Sequence, residues 1–295
     1  MGIGNEMKIR RMHLFEIEDQ GWCPRAIRDA VTDFLAFLVR AGKQYAPAIR
    51  WLNLVLDECE PDQITDLCSG GGGPWPSLLR ALMAGRKRYV SVCLTDKYPN
   101  VKALSAEVKR ADGALTFHAG SVDAMGIPSE LGGVRTLFTA FHHFTPEQAR
   151  AIVQDAVRHR QGICVFEVTQ RSLMAVALTC LSPLIVLFVT PFIRPFRLSR
   201  VLFTYIIPLI PLAVLFDGIV SCLRTYSPDD LREMLGETSL QTYTWHVGEE
   251  QTQSSPIPMT YLVGYPKRSA RPSPAAPEPA HTYASAPSSG AALAG

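Results

Sequence analysis

From residue 64 onward, five short apolar runs end in turn residues and alternate with helical stretches: Ile64 to Leu67, Tyr89 to Leu94, Leu115 to Ala119, Arg135 to Phe138 and Ile163 to Val168. Runs of this length suit buried strands rather than helices. Strands separated by helix-length segments must be joined by crossovers, and crossovers make neighbouring strands parallel. The pattern therefore predicts an α/β core with a parallel sheet over residues 59–170.

The flanks read differently. Ile27, Val31, Phe34, Leu35 and Leu38, then Ile49, Leu52 and Leu56, recur at three- and four-residue spacings, which predicts two amphipathic helices broken near Pro47 and a helical N-terminal cap over residues 1–58. Ser227-Pro228-Asp229-Asp230 has the composition of a helix start, with a capping serine, proline at the first helical position and acids in the first turn. Gln241 to Val247 and Met259 to Tyr265 read as a terminal antiparallel hairpin, so residues 225–266 complete the core. Residues 267–295 are rich in Pro, Ala and Ser and hold too little large apolar surface to offset the entropy of ordering them; a disordered tail is expected.

At 295 residues the chain is long enough for one large domain with an appendage. Its net charge of +2 gives no field that favours nucleic acid. The seven cysteines are scattered, with no CxxC pair and no Cys/His ligand set, so reduced thiols, a cytoplasmic setting and no metal site are expected. Lys8, Arg10 and Arg11 precede no apolar run of signal-peptide length, so export is not expected.

The candidate ligand site begins where the first strand runs into Asp66-Leu67-Cys68-Ser69-Gly70-Gly71-Gly72-Gly73, directly before a helix over Ser77 to Met83. Glycines there let a ligand approach the backbone, although nucleotide sites and plain tight turns use such loops too. Asp96 closes the next strand, where a carboxylate can accept both hydroxyls of a ribose, and Asp123 follows the third at the same edge. Carboxyl ends of parallel strands build ligand crevices, so three acids at successive strand ends point to one site.

Over residues 60 to 170, and again in the final hairpin, the chain resembles the class I S-adenosylmethionine-dependent methyltransferases. The family's D-x-G-x-G-x-G motif aligns with Asp66-x-Cys68-x-Gly70-x-Gly72, Cys68 standing in for the first glycine. The resemblance implies a Rossmann-like seven-stranded sheet and S-adenosylmethionine as cofactor. It also implies that Ser69, Gly70 and Gly72 line the methionine part, Asp96 holds the ribose, Val122 and Asp123 flank the adenine, and Lys97 with Tyr98 cover its other side. Leu137 to Pro146 matches the end of the fourth strand, which places Ala140, His142 and His143 toward the donor sulfonium. No N-P-P-Y motif of nucleic-acid or amide N-methylating enzymes is present, which favours a small or lipid-like acceptor.

Methyl transfer is an in-line displacement that chiefly needs alignment and exclusion of water. His142 or His143 is the candidate general base for a hydroxyl acceptor, having an ordinary pKa near 6.5; the alternative is that one packs and the other bonds a backbone carbonyl. The phrase Phe15 to Pro24 resembles a segment of bacterial methyltransferase-like proteins. Because a helical N-terminus caps the acceptor pocket in this fold, Glu18, Asp19 and Trp22 are candidate acceptor-lining residues, with a solvated acidic turn and a core tryptophan as the alternative.

Between the two core segments, residues 171–224 form an apolar insertion. Ser172 to Ile193 is 22 residues without a charge and Val201 to Phe216 a further 16, close to the roughly 20 residues that span a bilayer. A spanning hairpin would put Arg194, Arg197 and Arg200 outside, against the positive-inside tendency, and Pro183, Pro191, Pro208, Pro211 and Asp217 also disfavour it. A shallow helical hairpin on the inner face of the cell membrane is preferred, ahead of a lid over a greasy pocket or an oligomer interface. The expected function is methyl transfer to a small hydrophobic or lipid-like acceptor. The alternatives are a membrane-associated, non-catalytic scaffold of the same fold and, further behind, a nicotinamide-dependent oxidoreductase, whose G-x-G-x-x-G and Tyr/Lys set are not visible.

Overall fold

A computed structural model describes residues 9–84, 89–111 and 113–267. The two N-terminal amphipathic helices are α1 (Arg25–Ala41) and α2 (Ala48–Cys59), and Pro47 stands directly before α2, where its missing N–H is no loss. The strand candidates become β1 (Gln63–Leu67), β2 (Ser91–Leu94), β3 (Leu115–Phe117), β4 (Val134–Phe138) and β5 (Ile163–Glu167). Between them run α3 (Trp75–Met83), α4 (Val101–Lys109) and α5 (Pro146–Arg158). Asn100 caps α4, and Thr145 with Gln148 forms a reciprocal capping box on α5.

The insertion contributes α6 (Leu173–Thr179), α7 (Ser182–Val189), α8 (Leu198–Val201) and α9 (Leu209–Arg224). After it come α10 (Pro228–Met234), with the expected Ser227–Asp230 capping box, and α11 (Glu237–Thr242). The chain closes with β6 (Tyr243–Glu250) and β7 (Met259–Pro266). The expected tail lies, beyond Lys267, outside the described residues.

The strands form one seven-stranded sheet in the order β3-β2-β1-β4-β5-β7-β6. β1 to β5 are mutually parallel, whereas β7 runs antiparallel between β5 and β6. Because β1 pairs with both β2 and β4, the winding direction reverses there, which opens a crevice beyond the carboxyl ends of those strands. One face of the sheet is covered by Trp51, Leu52, Val55 and Leu56 of α2, Leu78, Leu79 and Leu82 of α3, and Leu104 of α4. The other is covered by Ala149, Ile152, Val153 and Ala156 of α5 and by Leu231 and Met234 of α10.

The apolar insertion folds back onto α1. Val186, Ile193, Ile210, Ala213 and Val214 pack against Ile27, Ala30, Val31 and Phe34. Arg200, only 2% exposed, donates to Asp33 at 2.7 Å and to the Ile193 and Pro195 carbonyls, while Arg197 reaches Asp29 at 3.0 Å and Asp33 at 3.3 Å. Two of the three loop arginines are thus tied to α1. Asp217, also buried, accepts the Ile17 and Glu18 amides. Pro183 and Pro211 sit in first turns and Pro208 directly precedes α9, so these three prolines start helices rather than kink them. The outer side of the insertion leaves Leu173, Leu184, Phe188, Phe192, Leu198, Ile206 and Leu212 exposed. Leu173–Phe192 is long and apolar enough to cross a membrane, with mean hydropathy 2.4 and 17% of the stretch buried.

Candidate active site

The loop after β1 alternates its backbone. Cys68 (φ 56°), Gly70 (φ 54°) and Gly72 (φ 99°) are left-handed, and Gly73 (φ 52°) follows. Cys68 therefore adopts the conformation that glycine supplies without strain, at the position where the family motif has glycine. The loop is anchored from below by Asp66, which is 1% exposed. Its Oδ1 accepts from Thr136 Oγ1 and its Oδ2 from Ser69 Oγ, both at 2.6 Å, while the Ser69 amide donates to the Thr95 carbonyl. Burial pushes the Asp66 carboxyl up to about 6, against the pull of those two hydroxyls.

Asp66 thus supports the loop from behind, and Cys68, Ser69, Gly70, Gly71 and Gly73 face a cavity of about 680 Å³. Gly72 does not face it. A Cβ there would meet Glu107 Cγ of α4 at 2.8 Å, so this glycine permits helix packing rather than ligand approach.

Asp96, just past β2, lines the cavity. Its Oδ2 accepts the Gly70 amide at 2.8 Å and its Oδ1 the Tyr98 amide at 2.7 Å. A carboxylate has about four lone-pair sites, so two remain for ribose hydroxyls. Lys97 and Asp123 both line the cavity and pair at 3.1 Å. The Met125 amide and Lys97 hold Asp123 below its ordinary value. Val122 is buried, donating its amide to the Asp96 carbonyl, and Ala124 and Met125 take the place on the wall expected of it. Ala140 is on the wall as expected.

The N-terminal phrase reaches the same cavity. Asp217 holds the amides of Ile17 and Glu18, and Arg28 of α1 donates to the carbonyls of Glu18 and Gln20, which turns Glu18 and Asp19 onto the wall. Burial pushes Glu18 up to about 8. Trp22 does not line the cavity. The turn closed by Cys23 N to the Gln20 carbonyl buries Cys23 and swings Trp22 outward, where it is 67% exposed.

His142 and His143 follow β4 in a single 3-10 turn, with rings 4.4 Å apart, and the structure separates their environments. His143 lines the cavity; His142 is 2% exposed behind it, its Nδ1 bonded to Glu167 Oε2 at 2.7 Å. Of the two expected bases, only His143 therefore faces the cavity. Around His143, burial works to lower the pKa, but Glu16 and Asp19 outweigh it and raise it to about 10. Asp19 is bonded to His143 at 3.0 Å and to Arg224 at 3.1 Å; these bonds overcome its own burial and hold it at about 2.

Sequence reasoning missed Glu16, Arg28 and Arg224, and also Tyr45, which lines the cavity with its hydroxyl bonded to Thr139. Glu16 lies in the N-terminal phrase beside the acids already noted, which was the available signal. Arg224 closes α9, and its Nε and Nη2 donate to the His142 and His143 carbonyls.

No protein-family model matches the chain, and no curated protein matches it in sequence. Among solved structures it is similar to the plantazolicin methyltransferase BpumL, determined with S-adenosylhomocysteine, at 11% identity, 85% of this chain, 93% of that one and TM-score 0.49. It is also similar to the N-methyltransferase NodS of Bradyrhizobium japonicum (8% identity, 82% and 99% coverage, TM-score 0.46). A third likeness is to the O-methyltransferase NcsB1 from neocarzinostatin biosynthesis (16% identity, 82% and 59% coverage, TM-score 0.46). Scores and identities this low say nothing about activity. The fold stands on the chain's own sheet: the order β3-β2-β1-β4-β5-β7-β6, with β7 antiparallel, is the seven-stranded Rossmann-like sheet of the class I methyltransferases.

Proposed function

We propose that this chain is an S-adenosylmethionine-dependent methyltransferase acting on a small, hydrophobic or lipid-like acceptor. The observation that carries the reading is the convergence of the left-handed glycine loop, Asp96 and the Lys97–Asp123 pair on one cavity of about 680 Å³ at the switch point of the sheet. The lining mixes charges, with Glu18, Asp19, Asp29, Asp96 and Asp123 facing the cavity alongside Arg28, Lys97, His143 and Arg224. When bound, S-adenosylmethionine supplies an electrophilic methyl group. Ser69 and Gly70 would hold its amino-acid part, Asp96 its ribose, and Asp123, Lys97 and Tyr98 its base.

The protein's own contribution is alignment and exclusion of water. Leu14, Phe15 and Leu35 line the cavity while remaining exposed, and the Phe15 ring meets Phe216 of α9 at 5.4 Å. Apolar surface thus runs from the insertion to the cavity wall, a path for a greasy acceptor.

The same surface supports docking on the cytoplasmic face of a membrane. Residues 194–200 connect the two apolar runs, and a spanning hairpin would carry them about 30 Å from the core. The ion pairs of Arg197 and Arg200 with α1 favour a hairpin lying on the bilayer.

Calorimetric titration with S-adenosylmethionine, with NADH as the control ligand, tests the reading. Micromolar binding of the former alone is expected, followed by methyl transfer to members of a hydrophobic acceptor panel. Binding of NADH, or of neither ligand, would overturn it. Because both histidines are tied to carboxylates, a binding protein without turnover is the second reading. Tight S-adenosylmethionine binding with no transfer across the panel would favour it.

A further inference from the structure

Glu16 is fully buried, and neither of its carboxylate oxygens has a hydrogen-bond partner. A buried carboxylate is stable only when paired or when it coordinates a metal. Three nitrogens lie at ion-pair distance from it, none in hydrogen-bonding geometry: His143 Nδ1 at 3.3 Å, Arg224 Nη1 at 3.4 Å and His142 Nε2 at 3.7 Å. Arg224 divides its donors: Nε and Nη2 go to the His142 and His143 carbonyls, and Nη1 to Asp19 at 3.1 Å while also lying beside Glu16.

The ligating atoms of Glu16, His142 and His143 all lie within 4.8 Å of one another. His142 Nε2 lies 3.7 Å from Glu16 Oε1 and His143 Nδ1 lies 3.3 Å from Glu16 Oε2, close to the roughly 3.4 Å that separates ligands about 2.1 Å from a tetrahedral centre. His142 carries a further mark of a metal ligand. Its Nδ1 is bonded to Glu167 Oε2 at 2.7 Å, which orients the ring and presents Nε2 toward Glu16.

We propose that Glu16, His142 and His143 form a binding site for a divalent transition-metal cation of the Zn2+ class, with an open coordination position toward the cavity that His143 lines. Two imidazoles and one carboxylate are a donor set suited to Zn2+, and three protein ligands leave a position for an exogenous oxygen or nitrogen. On the methyl-transfer reading, that position takes the acceptor's nucleophilic atom and aligns it. Only this role rests on that reading; the site itself does not. Metal at His143 Nδ1 would replace its hydrogen bond to Asp19, which Arg224 continues to hold.

The test uses untagged full-length chain stripped with a chelator and titrated with Zn2+ and, separately, with Co2+. One equivalent of Zn2+ should bind at micromolar or lower Kd and raise Tm, and Co2+ should give the visible absorption of a low-coordinate nitrogen/oxygen site. Glu16→Gln and His143→Ala should each weaken Zn2+ by at least tenfold and abolish the Co2+ spectrum. His159→Ala, at the exposed histidine that follows α5, should change neither. Circular dichroism and the Tm of metal-free protein show which variants are folded; if Glu16→Gln is not, His143→Ala decides. Absence of stoichiometric binding, or binding unchanged in the folded variants, overturns the site. S-adenosylmethionine titrations on the same samples keep the two proposals apart, since donor binding without metal binding removes only the site, and metal binding without donor binding removes only the methyltransferase reading.

Discussion

The Gly70 amide donates to Asp96 Oδ2 at 2.8 Å, which joins the loop after β1 and the acid after β2 into one hydrogen-bonded unit. Hydrogen bonds to a charged acceptor contribute about 1.5–3 kcal/mol each, so two ribose hydroxyls on Asp96 amount to about 3 kcal/mol or more. Asp96→Ala should therefore weaken S-adenosylmethionine binding on the order of 100-fold in calorimetry. Unchanged affinity in a folded variant would remove Asp96 from the donor site.

Cys68 occupies a left-handed conformation at φ 56°. Cys68→Gly exchanges backbone strain for unfolded-state entropy, two effects of about 1 kcal/mol that oppose each other, so Tm should change little and donor affinity should persist. Cys68→Val puts a β-branched side chain into the same conformation and should destabilise by roughly 1–3 kcal/mol. Equal Tm for the two variants would show that the loop relaxes.

The raised pKa of Asp66 has a definite sign in linkage. The folded state keeps its proton to about pH 6, whereas the unfolded chain releases it near the ordinary value of 3.8. Stability contributed by this group is fully present below about pH 4, falls between about pH 4 and 6, and stays at the lower level above, a total of about 3 kcal/mol. Denaturant unfolding at pH 4 and pH 7 should reveal this fall in wild type, and Asp66→Asn should lack that component. A wild-type advantage over the variant that grows with pH would contradict it.

Arg200 and Asp33 form a buried pair at 2.7 Å that fastens the insertion loop to α1. Removing one partner of such a pair costs about 3–5 kcal/mol, here reduced because Arg197 also reaches Asp33. Arg200→Ala should lower stability by about 2–3 kcal/mol and expose residues 194–200 to limited proteolysis. A protease pattern identical to wild type would refute the clamp.

Leu184 and Phe188 are 66% and 75% exposed on α7. If this face docks on a bilayer, Leu184→Asp with Phe188→Asp should abolish flotation with anionic lipid vesicles while leaving donor affinity intact. Wild-type protein that stays with the soluble fraction in the flotation would exclude membrane docking.

Much of this architecture is written locally. The strand runs, the caps at Ser227 and Thr145 and the helices around Pro47 depend on side-chain periodicity and on backbone groups a few residues away, so sequence alone determined them. The acids at the ends of β1 and β2 were legible for the same reason: a strand's end carries its next residues to the sheet edge. What only the tertiary structure decided depends on elements brought together from distant parts of the chain. Adjacent histidines looked equivalent until α9 and Glu167 buried His142 and left His143 on the cavity. Arg197 and Arg200 read as loop charges until α1 supplied Asp29 and Asp33. Glu16 became a candidate ligand only when the N-terminal segment packed against the turn after β4. Periodicity tells which way a residue faces within its own element, but a charge's partner is set by the packing of elements, and that distance is not encoded in local spacing.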